Sequence, residues 1–389
     1  MKIVEVISDT NIGGAGVLLC TRLKHSDPEK FQTAVILPTD SKLKPRIEGL
    51  GRSVYEIPGK GDRSWSLEGL YGFMALFFRL RPDLVNCHGS LTGRVAATLC
   101  GIPTVVYTRH CAYPTKPWQK YKLVRAIMGI CQMPFYDHVI AVADAARQNL
   151  QDLGIPKKRI SVIINGVEEL KKYAEEEKSA IRKKLGIPQD AFVIGICARL
   201  EACKGHKDLL EAARILLHRS RRFRFLIIGG GSLFEQLKVE SRKKGIEPYV
   251  IFTDFVEDVT PYMNCMDLQV NCSVGTETSS LALSEGMSLG IPMVVSNYGG
   301  NPYMVRNGVN GYLFPAGQFE VLAEKILFLF EHPSIYQKMS KQARLRFLEE
   351  LNAREMTRQT NALYRSLILS QKRKGRSQVS ISPILRRRE

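Results

Sequence analysis

A chain of 389 residues is long enough for two domains with substantial cores, and a formal net charge of +18 implies attraction to polyanions or an anionic surface. No apolar run approaches the roughly 20 residues that span a bilayer, Phe73 to Phe78 being far too short, which excludes a helical membrane span on sequence grounds. Nine cysteines without a C-x-x-C pair, an odd number, argue against a disulfide framework and point to a reduced, cytoplasmic chain.

Lys2 to Ser8 alternates as a first strand directly after Met1, without the apolar core or cleavage site of a secretory leader. The turn Asn11-Ile12-Gly13-Gly14-Ala15-Gly16 leads into an apolar helix from Val17. Its glycines let backbone approach a ligand closely, or they make a tight strand-to-helix turn. The turn is not the G-x-G-x-x-G dinucleotide fingerprint, because Leu19 stands where the third glycine belongs. Phe31 to Pro38 and Val54 to Pro58 read as strands, Gly59 to Ser64 as a polar loop and Leu67 to Leu80 as an amphipathic helix. Asp83 to His88 is the next strand, and Gly101-Ile102-Pro103 introduces another, Thr104 to His110. His88 and His110 thus fall at strand carboxyl ends, where open α/β sheets bind ligands, although a strand-end histidine is also commonly structural. Arg109, beside His110, is a candidate anion or acceptor contact.

Lys116 to Pro134 sets Lys116, Lys120, Lys122 and Arg125 among Trp118, Tyr121, Leu123, Ile127, Met128 and Ile130. Such a stretch suits an anionic membrane surface, and equally a solvated helix over a domain core. His138 to Ala143 is a strand, Asp144 the expected cap of the helix after it, and Ile160 to Ile164 the last strand of this half. The polar run Glu168 to Glu177 reads as a linker.

The second half restarts with a helix up to Leu185 and a strand from Phe192 to Ala198. Arg199 to His206, R-L-E-A-C-K-G-H, then opens a helix at Lys207; an Arg and a Lys straddling a strand-to-helix loop can converge on one dianion. Phe225 to Ile228 is a strand followed by the turn Gly229-Gly230-Gly231-Ser232, and Val250 to Phe252 is the next strand. From Asn271 to Arg306 the pattern is a strand end, a polar loop, a helix from Ser280 to Leu289, a Gly290 cap with Pro292 beyond it, and a buried strand from Met293 to Ser296. Two carboxylates frame this βαβ unit, Glu277 in the loop and Glu285 in the helix, with seven residues between them. Thr276 to Ser280, T-E-T-S-S, offers free backbone N–H groups at the helix start, a ready anion site. Two hydroxyl acceptors beside an anion cradle suit a ligand made of sugars and phosphates. Helices follow from Phe319 to Leu369. Beyond Ser370 the chain, with Lys372, Arg373, Lys374, Arg376, Arg386, Arg387 and Arg388, reads as a basic, disordered tail.

The run Glu277 to Glu285, E-T-S-S-L-A-L-S-E, followed by G-I-P-M-V-V-S-N-Y-G-G-N-P-Y-M-V from Gly290, resembles the E-x7-E segment of retaining glycosyltransferases of family four. Thr278-Ser279 stands where that family usually has Gly-Phe. Arg199 to Gly205 resembles its R-L-x-x-x-K-G. Gly229 to Ser232 resembles G-x-G-P with Ser232 for Pro, and Phe252 to Val259 resembles F-x-G-F-V-x-D-V with Asp254 for Gly. Asn307 to Pro315 resembles N-G-x-x-G-x-L-x-P, and Asn165-Gly166-Val167 the N-G-V that ends the family's first domain. The likeness runs to about Ser370 and is strongest from Val193 to Pro315.

The resemblance implies an α/β GT-B fold, two Rossmann-like domains facing across a cleft. Residues 1–168 would form the acceptor-side domain, 169–350 the donor domain, 351–370 a helix returning to the first domain, and 371–389 the tail. It implies a catalytic set of His110, Arg199, Lys204 and Glu277. Arg199 and Lys204 would hold the donor diphosphate, Glu277 the sugar hydroxyls, without acting as a nucleophile, and Glu285 the nucleotide ribose. His110 would touch the donor sugar. Gly14, Gly16, Gly230, Phe255, Val256, Thr278, Ser279, Ser280 and Leu281 complete the donor side, and Gly13, His88 and Arg109 the acceptor side.

The implied chemistry is retaining transfer of a hexosyl or N-acetylhexosaminyl group from a nucleotide-diphosphate sugar, UDP-sugar favoured over GDP-sugar, with no further cofactor. The chain has no D-x-D motif, so a metal-independent reaction is expected. The acceptor would be a glycan or lipid-linked molecule in cell-envelope polysaccharide or glycolipid synthesis, with the basic surface reaching the anionic inner face of the membrane. Three other readings stay open: a GT-B sugar-nucleotide epimerase, a polyanion-binding protein without catalysis, and a catalytically idle homologue. No recognisable nucleic-acid fold signature accompanies the charge, so a specific nucleic-acid partner is not expected.

Overall fold

The computed structural model describes residues 1–58, 65–111, 116–275 and 277–381. The Gly59 to Ser64 loop, Thr276 and the arginines Arg386, Arg387 and Arg388 lie outside the described residues. The chain divides into two compact units, Met1–Asn165 with Ala353–Glu389, and Gly166–Asn352.

The first unit opens β1 (Lys2–Ile7), α1 (Gly14–His25), β2 (Gln32–Pro38), α2 (Lys44–Glu48) and β3 (Ser53–Ile57). It continues α3 (Leu67–Leu80), β4 (Leu84–His88), α4 (Leu91–Leu99), β5 (Val105–Arg109), α5 (Lys122–Gln132), β6 (His138–Ala141), α6 (Asp144–Asp152) and β7 (Ile160–Val162). All strand pairs are parallel, in the order β3-β2-β1-β4-β5-β6-β7. Helices cover both faces of such a sheet, which is why its strands read as nearly continuous apolar runs. Phe73 and Phe77 of α3 pack with Val4, Val6, Val85 and Val105 on one face; Leu19 and Leu23 of α1 pack with Ile7, Val35 and Leu37 on the other. Ser66 starts α3 by accepting a hydrogen bond from the Gly69 N–H, and Arg81 ends it in the left-handed region at φ 45°. Asp144 sits in the first turn of α6 rather than capping it; Ala143 holds the cap position.

The second unit runs α7 (Glu175–Lys184), β8 (Phe192–Cys197), α8 (His206–Arg219), β9 (Phe223–Ile228), α9 (Phe234–Lys243), β10 (Val250–Phe252) and α10 (Thr260–Met263). Then come β11 (Leu268–Asn271), α11 (Leu281–Ser288), β12 (Met293–Ser296), α12 (Asn301–Met304), β13 (Gly311–Phe314), α13 (Phe319–Glu331) and α14 (Pro333–Arg346). Its six strands are again parallel, ordered β10-β9-β8-β11-β12-β13 around a core that includes Ile194, Phe225, Leu268 and Val294. In each unit the strand order reverses once, between β1 and β4 and between β8 and β11. Such a reversal opens a crevice at the carboxyl ends of the flanking strands.

The last helix, α15 (Ala353–Ile381), belongs to the first unit. The helix continues past Ser370, where the tail was expected to begin, through Ile381, and Lys372 pairs with Asp83 at 3.3 Å; residues 382–389 of the expected tail lie outside the described residues. Among the described residues no helix is long and apolar enough to cross a membrane.

Candidate functional site

The second unit places Arg199 and Lys204 in the loop after β8 and Glu277 in the loop after β11, one on each side of the strand-order reversal. The loops touch through glycine. Gly205 has φ +67°, and a Cβ there would lie 2.0 Å from the Cys272 carbonyl oxygen. Only glycine allows both that conformation and that approach. The Lys204 ammonium therefore arrives 2.8 Å from Glu277 Oε2. The same oxygen accepts from Asn271 Nδ2 at 3.1 Å and from the Ser273 hydroxyl at 2.8 Å. Three donors converge on one oxygen of a buried carboxylate, and Oε1 accepts no hydrogen bond among the described residues. Arg199 does not join this cluster: it is exposed, its carbonyl accepts from the Glu201 N–H at 2.8 Å, and its guanidinium makes no hydrogen bond among the described residues.

Four residues beyond Glu277, α11 begins at Leu281 with Ser280 as N-cap, yet the Ser280 side chain caps nothing. Thr278 is buried, and the Ser279 hydroxyl is sealed from solvent without a hydrogen-bond partner. An uncapped helix start beside an unpartnered hydroxyl is competent to receive an anion. The Tyr298-Gly299-Gly300 loop lies against this segment. Gly300 N–H donates to the Glu277 carbonyl at 3.1 Å, and a Cβ on Gly300 would fall 1.7 Å from the Thr278 carbonyl oxygen.

Glu285 lies one helical turn into α11, and burial pushes its carboxyl up to about 7. Its charge, after burial itself, also helps raise the Cys197 thiol to about 12, so it lies near the end of β8. Gly230 closes the neighbouring turn after β9, where a Cβ would meet Asp254 Oδ1 at 2.6 Å. Asp254 takes φ +62°, which explains why glycine is usual there. Phe255 is exposed and Val256 partly buried. The Glu201 carboxylate accepts from the Ser232 hydroxyl at 2.8 Å and ties this turn to the Arg199–Lys204 loop.

In the first unit the register sets His88 beside Ile7 on one side and Thr108 on the other, and His110 follows β5. His88 Nδ1 and His110 Nε2 lie 2.8 Å apart, with the rings stacked at 5.1 Å. Burial, then the neighbouring His88, pushes His110 down to about 3. Arg109 is tied internally: its guanidinium donates to the Cys111 carbonyl at 2.8 Å, the Tyr107 hydroxyl at 3.1 Å and Asn149 Oδ1 at 3.1 Å. That arrangement anchors the loop carrying His110. Gly13 caps α1 and Gly14 begins it, both exposed, whereas Gly16 is buried where a Cβ would strike the Leu43 side chain at 2.6 Å.

Sequence reasoning missed the group behind His88. Glu5, in the middle of β1, is fully buried and accepts from His88 Nε2 at 2.9 Å, Asn86 Nδ2 at 2.8 Å, the Tyr364 hydroxyl of α15 at 3.0 Å, and Arg22. Burial alone would raise its carboxyl; the Arg22 charge and the His88 and Asn86 hydrogen bonds overcome that and hold it at about 2. The available signal was a lone acid inside an apolar parallel strand, I-V-E-V-I. Among the described residues no three His, Cys, Asp or Glu side chains gather as a metal site.

The family model described as Glycosyl transferases group 1 matches residues 177–346, and that described as Glycosyltransferase Family 4 matches residues 12–169. The chain is 26% identical over 314 residues to the UDP-Gal:alpha-D-GlcNAc-diphosphoundecaprenol alpha-1,3-galactosyltransferase of Escherichia coli, covering 78% of this chain and 80% of that one. It is 22% identical over 326 residues to the capsular polysaccharide biosynthesis glycosyltransferase CapM of Staphylococcus aureus, covering 80% and 84%. The crystal structure of Anabaena HepE in complex with UDP superposes with a TM-score of 0.81 at 22% identity, covering 94% of this chain and 100% of that one; this likeness bears on the fold. Two matched family models in tandem, on two parallel sheets of seven and six strands, place the chain in the group 1 glycosyl transferases, as a glycosyltransferase of the GT-B fold.

Proposed function

We propose that this glycosyltransferase moves a hexosyl or N-acetylhexosaminyl group, with retention and without a metal ion, from a nucleotide-diphosphate sugar to a glycan or lipid-linked acceptor in cell-envelope polysaccharide or glycolipid synthesis. The observation that carries the reading is the Glu277 cluster. A carboxylate oxygen left open by three donors on its twin stands next to an uncapped helix start and the unpartnered Ser279 hydroxyl. Glu277 Oε1 would accept from donor-sugar hydroxyls, the α11 start and Arg199 would face the diphosphate, and Glu285 would accept from the ribose. As the bond from the anomeric carbon to the phosphate oxygen breaks, its electron pair leaves on the diphosphate, where preorganised N–H groups and cations lower the barrier. The acceptor oxygen bonds to the anomeric carbon on the same face, and its proton passes to the departing phosphate. UDP-sugars lead GDP-sugars as donors, because the Escherichia coli relative is named for UDP-Gal and HepE was crystallised with UDP. A lipid-linked acceptor agrees with that relative's name and with the basic surface. Neither the epimerase nor the polyanion-binding reading is favoured by the family matches.

The test is a melting-temperature panel with UDP, GDP, ADP, CMP and their sugars, run on the wild type and Glu285→Ala, followed by product analysis. A ligand that binds only the native state raises the melting point. A selective rise with UDP, weakened in the variant, and a transferred sugar of retained configuration are expected; isomerised donor with no transfer would sink the reading.

A further inference from the structure

A carboxylate only accepts hydrogen bonds, and the partners of Glu5 occupy both of its oxygens. Oε1 takes Arg22 Nη2 and the Tyr364 hydroxyl; Oε2 takes Asn86 Nδ2 and His88 Nε2. The carboxylate, an acceptor only, turns the Asn86 Nδ2 toward Oε2, and the Thr108 hydroxyl, free to donate or accept, then donates to Asn86 Oδ1 at 2.9 Å; Nδ2 also lies 3.2 Å from His88 Nε2, the two nitrogens sharing Oε2 as donors. His88 must then carry a proton on Nε2, leaving Nδ1 to face His110 Nε2 at 2.8 Å.

We infer that Glu5 is a positioning residue for the transfer reaction: through His88 it selects which nitrogen of His110 carries the proton, and hence whether His110 meets a bound sugar as acceptor or as donor. The inference rests on the proposed transfer reaction and on the contact between His110 and the donor sugar that the family resemblance implies. With His88 neutral, its Nδ1 is an acceptor, so His110 donates from Nε2 and turns a bare Nδ1 outward. That nitrogen has no partner among the described residues. One further proton on the pair reverses both bonds: His88 Nδ1–H donates to His110 Nε2, and His110 presents Nδ1–H. The polar and charged groups facing the pair are Glu5 on β1, Arg22 on α1, Asn86 on β4, Thr108 on β5 and Tyr364 on α15. A buried ion pair needs only Arg22. Here one oxygen of the acid is given over to two β4 side chains, and the second of them leads to a histidine open to a ligand.

The experiment is NMR of the ring nitrogens in the full chain with 15N-labelled histidine, wild type against Glu5→Gln, together with transfer kinetics. The wild type is expected to hold the His110 proton on Nε2. The Gln amide can donate to His88 Nε2, which moves the His88 proton to Nδ1 and the His110 proton to Nδ1. The expected kinetic result is a kcat lower by about 10²-fold and a displaced pH–rate profile, with the nucleoside diphosphate Kd changed by less than about threefold. Unchanged ring protons in Glu5→Gln would overturn the inference, as would changed ring protons with an unchanged kcat and pH profile. Should Glu5→Gln not fold, His88→Phe keeps a stacked ring and removes the Nδ1 acceptor. It must release His110 from the single tautomer, and a His110 spectrum identical to wild type would overturn the inference equally. Failure of the wild-type chain to transfer any sugar would sink the proposed function, while the ring spectra would still decide the relay.

Discussion

Lys204 and Glu277, 73 residues apart in the chain, form an ion pair at 2.8 Å that joins the two loops flanking the β8–β11 reversal. The lysine side chain is 16% exposed and the glutamate 6%, so solvent screens the pair only in part. Removing one partner leaves the other charge poorly solvated, whereas removing both leaves neither. Lys204→Met and Glu277→Gln are each expected to lower stability by roughly 1–3 kcal/mol, and the double variant by less than their sum. Transfer should fall in all three. Urea unfolding beside a transfer assay checks this; strictly additive losses would mean that the pair is not coupled.

Gly300 is where the second loop seats itself on the Glu277–Thr278 backbone. A methyl there would sit 1.7 Å from the Thr278 carbonyl oxygen, which cannot swing aside as a flexible side chain could. Gly300→Ala is expected to cost about 2 kcal/mol or more and to abolish donor binding. Gly308→Ala is the control, since φ +78° strains it but no atom lies within 4 Å of the new Cβ. It should cost about 1 kcal/mol and leave transfer intact. Equal melting points and activities for the two variants would remove the packing argument.

Asp254 occupies φ +62° without being glycine, and its Oδ1 accepts from the Phe255 N–H at 2.7 Å. The local hydrogen bond offsets part of the strain, as Asp and Asn side chains do in the left-handed region. Asp254→Ala keeps the strain and loses the bond, and should destabilise by about 1 kcal/mol; Asp254→Gly loses both and should lie within about 0.5 kcal/mol of wild type. Calorimetry of the three proteins decides; a Gly variant as unstable as Ala would show that the bond dominates.

The loops after β8 and β11 were legible because their signals are local: apolar runs ending in R-L-E-A-C-K-G and T-E-T-S-S place Arg199, Lys204 and Glu277 just beyond strand ends and Glu285 in the helix that follows. What those residues touch was not. Lys204 reads as a diphosphate ligand in R-L-x-x-x-K-G, yet its partner across 73 residues is Glu277, while Arg199 stays free of the cluster. Tyr364 and Glu5 are 359 residues apart, and no local pattern joins them. Arg109 looked like a ligand contact because it ends a strand beside His110; it is half-buried, and its Asn149 partner lies on α6, 40 residues on. Composition hid the continuation of α15 past Ser370 to Ile381. Lys, Arg and Gln are good helix formers, and extending α15 by each residue needs no new nucleation.

Glu285 carries the clearest pH signature. Its carboxyl is pushed from 4.5 to about 7 by burial. A raised acid favours the native state fully below pH 4.5, and that contribution is lost as pH rises through 7. Glu285→Gln, which cannot ionise, should therefore melt higher than wild type at pH 8 and close to it at pH 5. If the ribose hydroxyls donate to the ionised form, nucleoside diphosphate binding to wild type should strengthen across the same window, and the Gln variant should show neither the trend nor the tight binding. Melting curves and titrations at several pH values test both halves. A pH-independent affinity in wild type would detach Glu285 from the nucleotide.

The α5 helix turns its apolar stripe outward. Leu123, Ile127 and Ile130, spaced by helical turns, are 73%, 52% and 62% exposed, while Gly129 faces inward so closely that a Cβ would lie 2.4 Å from the Gly154 carbonyl oxygen. Tyr121 and Trp118 are exposed just ahead of it, and Leu67, Tyr71 and Phe78 are exposed on α3. No acidic residue occurs from Lys116 to Pro134, where four basic ones do. An anionic bilayer would satisfy both halves of this surface: each apolar side chain buried in the interface would contribute about 1.5–3 kcal/mol and each nearby cation about 1 kcal/mol. The wild type is expected to co-float with phosphatidylglycerol vesicles at low salt and weakly with phosphatidylcholine. The triple substitution Leu123→Gln, Ile127→Gln and Ile130→Gln should abolish flotation while preserving nucleotide-dependent thermal stabilisation, because those side chains support no core. Charge reversal at Lys116 and Lys122 should weaken binding at low salt and matter less at high salt, where screening already removes that contribution. If the wild type ignored anionic vesicles at low salt, the stripe would need another explanation and the acceptor would have to reach the enzyme in solution.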